Sequence, residues 1–135
     1  MDRRRFTTTI PGLLASFLFV PGAGPIPAAR QGKHPEPRRG VNASKIVPRE
    51  KLADSPEAIP VFDMAREIPQ VLDGLRCQCG CSELPDHYSL LSCFEDGMAT
   101  HCEICMSQTK LAHRLHKDGK SLREIRAAID AEFGN

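Results

Sequence analysis

The spacing of apolar residues divides the chain into three stretches of different character. Ile10 to Val20 is an apolar run broken only by Pro11, Gly12 and Ser16. From Arg30 to about Pro56 apolar residues are sparse and scattered between charged groups and Pro35, Pro37, Pro48 and Pro56. Such a stretch buries too little surface to offset the entropy lost on ordering, so residues 30–58 read as a Pro-rich disordered linker. From Ile59 onward a helical period emerges. Pro69 sits where a first helical turn accepts it, followed by Val71, Leu72 and Leu75. Ser89 to Glu95 predicts a second short helix, with Leu90, Leu91 and Phe94, stopping near Gly97. A third runs from Thr100, a good N-cap, to Gly119, with Ile104, Leu111 and Leu115 at helical spacing. The fourth opens on the capping box Ser121-Leu122-Arg123-Glu124 and carries Leu122, Ile125, Ile129 and Phe133 on one stripe up to Gly134. Nothing alternates with period two over a useful length. The expected fold is all-α: a small bundle of three to four short helices with a cysteine-rich loop, over residues 59–135.

The first stretch is an export signal by pattern. A basic start (Arg3, Arg4, Arg5, then Phe6) leads into the apolar run and then into Ala23, Gly24, Ala28 and Ala29. Arg-Arg-x-Phe with Asp2 in front fits the twin-arginine type, a route that carries folded proteins. The run is shorter than the roughly 20 apolar residues of a membrane span. Residues 1–29 are therefore expected to be a signal peptide, and the mature chain to be periplasmic or secreted, with no transmembrane segment. No cysteine precedes Cys77, which removes the usual lipid-anchor residue.

Composition narrows the function. A formal net charge of +1 provides no field for nucleic acid, and six Phe, one Tyr and no Trp make a poor platform for stacking bases or sugars. No Ser-His-Asp arrangement, phosphate loop or carboxylate pair stands out, so a binding protein is expected rather than an enzyme. A domain of this size is marginal without staples, and all six cysteines, Cys77, Cys79, Cys81, Cys93, Cys102 and Cys105, lie in one short window.

The cysteine spacing leaves three readings. Three thiols in Cys77-Gln78-Cys79-Gly80-Cys81, with Gly80 relaxing the backbone, can turn inward on one ion, whereas a Cys-x-Cys disulfide closes only with strain. Cys102-Glu103-Ile104-Cys105 adds a pair one helical turn apart, and Cys93 lies between on the second helix. All six are candidate ligands for a soft metal, copper(I) or zinc. His87, Met98, His101 and Met106 lie near enough in sequence to substitute. An even count in an exported chain equally allows a disulfide scaffold, and Cys-x-x-Cys at a helix start allows thiol redox chemistry. Covalent c-type haem is disfavoured, because Met106 stands where the histidine is needed. His113 and His116 share a face amid Lys110, Arg114 and Lys117 and read as a solvated helix end.

Taken together, Arg-Glu-Ile-Pro (66–69), Cys-x-Cys-Gly-Cys (77–81), Leu-Leu-Ser-Cys-Phe (90–94), Cys-x-x-Cys (102–105) and Gly-Lys-Ser (119–121) to Phe133-Gly134 resemble the PCYCGC-motif proteins. That resemblance covers about 59–134 and implies an exported bacterial protein, often a lipoprotein. The three motif cysteines and the glycine are kept, while Arg76 replaces the motif's proline and Gln78 its tyrosine. A weaker similarity, Leu75-Arg76-Cys77 and the Gly-Lys-Ser…Glu-Ile-Arg tail, points to the thiol-reductase subunit of cytochrome c maturation, whose Cys-x-x-Cys spacing this chain lacks. The expected function is to hold or hand on a metal ion in the cell envelope, with another envelope protein as a possible partner. The alternatives are a thiol-disulfide oxidoreductase and a disulfide-stapled interaction domain.

Overall fold

Pro69 divides what would otherwise be one helix. The computed structural model describes residues 34–134. The expected signal peptide, residues 1–29, lies outside the described residues. Helix α1, Ile59–Glu67, starts with proline in its first turn and buries Val61, Phe62 and Ala65. Ile68, held out of the helical region by the following proline, ends α1 and starts α2, Pro69–Asp73. The remaining helices are α3, Leu90–Glu95, α4, Glu103–Lys117, and α5, Leu122–Phe133. Among the described residues there is no strand, and no helix is long and apolar enough to cross a membrane.

Most of the predicted elements are present, with α1 as an addition. Ser89 caps α3, and Ser121 with Glu124 forms a reciprocal capping box on α5. The third helix begins later than expected: Met98–His101 is a 3-10 turn, and Cys102, not Thr100, is the N-cap. Its inward face also differs. Cys105, Gln108, Thr109, Leu111 and Ala112 are buried, while Ile104 is 43% exposed. Turning Cys105 inward places its neighbour about 100° round the helix, towards solvent.

The core forms where α1, α2, α3 and α4 meet. Phe62 and Phe94 pack edge to face with ring centroids 4.8 Å apart, and Ile125 and Ile129 close it from α5. At Gly74 the backbone comes so close to Leu122 and Pro37 that a Cβ would lie 2.8 Å from one Leu122 methyl.

The segment before α1 is the main correction. Expected as disordered linker, residues 34–58 form three 3-10 turns, Ala43–Lys45, Arg49–Leu52 and Pro56–Ala58, and bury His34, Ile46, Leu52 and Ala58. Most of its few apolar residues, Val41, Ala43, Ile46, Val47, Leu52 and Ala58, find a place in or against the core, and polar tethers offset the ordering cost that average composition suggests is prohibitive. Arg38 grips the fully buried Asp73 through its backbone N–H (2.7 Å) and its guanidinium (2.7 Å), and Ser89 donates to the same carboxylate at 2.8 Å. Arg126 donates to the carbonyls of Gly74 (2.9 Å) and Pro35 (2.7 Å). The Arg38 guanidinium also lies 4.4 Å over the Tyr88 ring. This segment is a strap across the bundle.

Candidate metal centre

Both ends of the cysteine loop are tied together. The N–H of Leu90, at the start of α3, donates to the carbonyl of Leu75 at 2.8 Å, so residues 76–89 leave and re-enter the bundle at one point. Within the loop Gly80 takes φ +91°, a left-handed conformation that a side chain disfavours. The turn reverses the chain between Cys79 and the 3-10 turn Cys81–Glu83, so three thiols return to one spot. Cys105 meets them from the first turn of α4, where the helix N-terminus favours negative charge.

The sulfurs are closely grouped. Cys77 Sγ lies 2.9 Å from Cys105 Sγ and 3.0 Å from Cys79 Sγ. Cys79 Sγ lies 2.7 Å from Cys81 Sγ and 3.6 Å from Cys105 Sγ. All four ligand atoms fall within 4.8 Å of one another. For comparison, a disulfide bond is about 2.05 Å, and four thiolates at about 2.3 Å from a tetrahedral zinc stand roughly 3.8 Å apart. All six cysteines are free thiols. The donor set is soft, partly buried and able to hold a metal ion once the closest sulfurs move about 1 Å apart.

The six expected ligands therefore divide. Cys77, Cys79, Cys81 and Cys105 form the group. Cys93, fully buried on α3, lies beside it with Sγ 3.5 Å from Cys105 Sγ. Cys102 lies outside that group but beside it: as N-cap of α4, its sulfur accepts the Cys105 backbone N–H at 3.4 Å. Of the suggested substitutes, His87 faces Asp96 at 3.0 Å, and His101 and Met98 are exposed. Met106 is half-buried against the core. His113, read as solvated, reaches Glu67 on α1 at 2.8 Å, while His116 is exposed.

Crowding separates the thiols electrostatically. Hydrogen bonds from Cys105 and then Cys77 hold Cys93 at about 5, against its burial. Cys105 is pushed up by its contacts with Cys77 and Cys93, and Cys81 by burial and by Cys79. Cys77 is drawn down by Cys105, but Cys93 and burial outweigh that pull and raise it. Packed thiols resist ionising together because each new charge repels the others; a bound cation removes that resistance and displaces their protons.

A second layer of residues, not singled out from the sequence, positions Cys77. Fully buried Gln108 on α4 accepts the Gln78 N–H at 3.0 Å and donates to the Arg76 carbonyl at 3.1 Å, bracketing Cys77 on both sides. His34 Nδ1 accepts the Arg76 N–H at 3.0 Å. Asp130 on α5 faces both His34 Nε2 (3.0 Å) and Gln78 Nε2 (3.1 Å). Gln108 had a visible signal, a polar residue three positions after Cys105 on an inward face. His34 and Asp130, 96 residues apart, had none.

The fold and site define a small helical protein with four convergent thiols able to hold a metal ion. Its family follows from comparison: the family model described as "Protein of unknown function with PCYCGC motif" matches residues 40–135, and the chain belongs to that family. The match begins inside the strap, in agreement with its packing. No curated protein and no solved structure matches the chain.

Proposed function

We propose that this protein holds a soft metal ion, copper(I) or zinc, through Cys77, Cys79, Cys81 and Cys105, and that it does so as an exported protein of the cell envelope. The observation that carries the proposal is the convergence of four thiols within 4.8 Å from a loop and a helix N-terminus. Thiolates select soft and borderline ions, and four match tetrahedral zinc. Cys79 and Cys81 are half-exposed, which leaves a side for exchange with a partner. Export rests on the Arg-rich start, apolar run and small residues of 1–29. Holding an ion accords with a site whose converging groups are all thiols.

The thiol-disulfide alternative is weaker on these grounds. A redox thiol needs a depressed pKa and access to its target. Here the depressed thiol, Cys93, is fully buried, and the half-exposed Cys81 is raised.

The test is elemental analysis of the chain purified from its own host's envelope without chelators. Near-stoichiometric copper or zinc, lost in a Cys79→Ser/Cys81→Ser variant, is the expected result. Metal-free protein overturns it. Thiols that then appear only after reduction indicate a disulfide scaffold, and rapid alkylation at neutral pH indicates redox chemistry.

A further inference from the structure

We propose that the site takes two copper(I) ions, not one, with the Cys105 thiolate shared between them, a reading that rests on the metal-holding function above. A tetrahedral zinc ion is complete with four thiolates, and Cys77, Cys79, Cys81 and Cys105 supply them. That leaves a fifth sulfur to account for. Cys93 is fully buried, its Sγ 3.5 Å from Cys105 Sγ. A burial of that kind next to four others is more than one zinc uses.

Copper(I) accounts for it. The ion is soft, is satisfied by two or three thiolates, and accepts a sulfur that bridges to a second ion. Two three-coordinate ions sharing one sulfur need five thiolates, which is the group of four plus Cys93. Cys105 is the sulfur placed to be shared. It has Cys77 at 2.9 Å, Cys93 at 3.5 Å and Cys79 at 3.6 Å, whereas Cys81 lies against Cys79 at 2.7 Å. The shared position also sits in the first turn of α4, where the helix N-terminus offsets part of the added negative charge.

Splitting the group at Cys105 gives two unequal halves. Cys77, Cys93 and Cys105 are all buried and form an inner position. Cys79 and Cys81, both half-exposed, complete an outer position with Cys105. The outer ion is the exchangeable one, since two of its three thiols, Cys79 and Cys81, reach solvent and none of the inner ion's does. Loading exchanges thiol protons for copper supplied as copper(I), and no electron is transferred.

The experiment is an anaerobic titration of the reduced, metal-free full chain. Copper(I) is added against a chromophoric copper(I) chelator, and zinc(II) separately against a zinc indicator. Two equivalents of copper(I) and one of zinc are expected. Cys93→Ser lowers copper to one and leaves zinc at one. Cys81→Ser, at a half-exposed position tolerant of change, also lowers copper to one but weakens zinc about tenfold or more. Far-ultraviolet circular dichroism verifies that each variant keeps its helices. One copper(I) on the unaltered chain, or two retained after Cys93→Ser, overturns the proposal while leaving a single-ion site standing. Binding of neither ion removes the metal-holding function itself, and this proposal with it.

Discussion

The backbone N–H of Arg76 donates to Nδ1 of His34 at 3.0 Å, across 42 residues of sequence. This contact joins the strap to the residue next to Cys77, at one of the two positions where the chain departs from its family's hexapeptide. A proline at 76 has no N–H to give. The other departure, Gln78, shares the network: its amide reaches Asp130, which faces the same histidine. The two departures thus share one network, in which His34 accepts from the backbone at 76 and Asp130 faces the side chain at 78.

Restoring the motif's proline tests that coupling. Arg76→Pro leaves the fully buried ring of His34 with an unpaired nitrogen, and the expected loss is about 1–3 kcal/mol of stability. Arg76→Ala keeps the N–H and is expected to cost less. Urea unfolding of the two variants compares them directly; a proline variant as stable as the alanine variant would mean that His34 contributes nothing at this contact.

The same histidine sets a pH dependence. Burial holds His34 below its usual 6.5, against the pull of Asp130, so it stays neutral in the fold while the unfolded chain takes up a proton. The contribution is therefore fully present above pH 6.5 and is lost as pH falls through the depressed folded value. Asp73, buried but held below 3.8 by Arg38 and Ser89, behaves as a paired carboxylate: its contribution is present above 3.8 and lost as pH falls further. Stability of the reduced, metal-free chain should decline on acidification as the Cys93 thiolate, held at about 5, is reprotonated, with His34 adding to the loss below pH 6.5 and Asp73 below 3.8. The part of the decline that disappears in His34→Gln should begin at pH 6.5 and not above it. Chemical unfolding from pH 8 to 3 measures both; equal slopes below pH 6.5 count against the histidine.

Local signals were legible in the sequence, and distant ones were not. The capping box at Ser121 and Glu124 and the stop at Gly97 are encoded within a few residues, and both ends form as read. The spacing pointed to all six cysteines as one group, of which Cys77, Cys79, Cys81 and Cys105 converge. Cys102 stands one place before the helix: as N-cap it keeps its sulfur beside Cys105 but turns it to that residue's backbone N–H, a role the spacing alone does not reveal. The strap was missed for a different reason. Its stability lies in single long-range partners, Arg38 with Asp73 and His34 with Asp130, which composition cannot register.

Gln108 offers a contrast within one helix turn. Gln108→Leu removes the partner of both the Gln78 N–H and the Arg76 carbonyl, at an expected cost of about 1–3 kcal/mol. Because those bonds bracket Cys77, metal affinity should fall about 10–100-fold, as for other residues that orient ligands. Thr109, next to it and fully buried, has a hydroxyl with no hydrogen-bond partner. Thr109→Val should be neutral or stabilising by up to about 1 kcal/mol, with metal affinity unchanged. Thermal unfolding and zinc competition on the pair separate a specific clamp from general sensitivity of the helix. Equal effects of the two substitutions would argue for the latter.

Metal removal should loosen the loop before it loosens the bundle. Between Gly80 and His87 the backbone bonds are three turn bonds, from Glu83 to Gly80, from Leu84 to Cys81 and from His87 to Leu84. Gly80, Glu83, Leu84, Pro85 and Asp86 are exposed, so little buried apolar surface opposes local opening. The segment is tied to the rest of the protein by the Cys81 thiol, 2.7 Å from Cys79 within the site, and by His87, 3.0 Å from Asp96. The α4–α5 hairpin depends instead on Leu111, Ile125 and Ile129, none of which touches the site through a ligand. Amide exchange at 79–87 is thus expected to slow on adding zinc or copper(I) and to speed again with chelator. Amides in the middle of α4 and α5 should change far less. Uniform protection across the chain would point instead to metal coupled to global folding, with the bundle unable to stand without its ion.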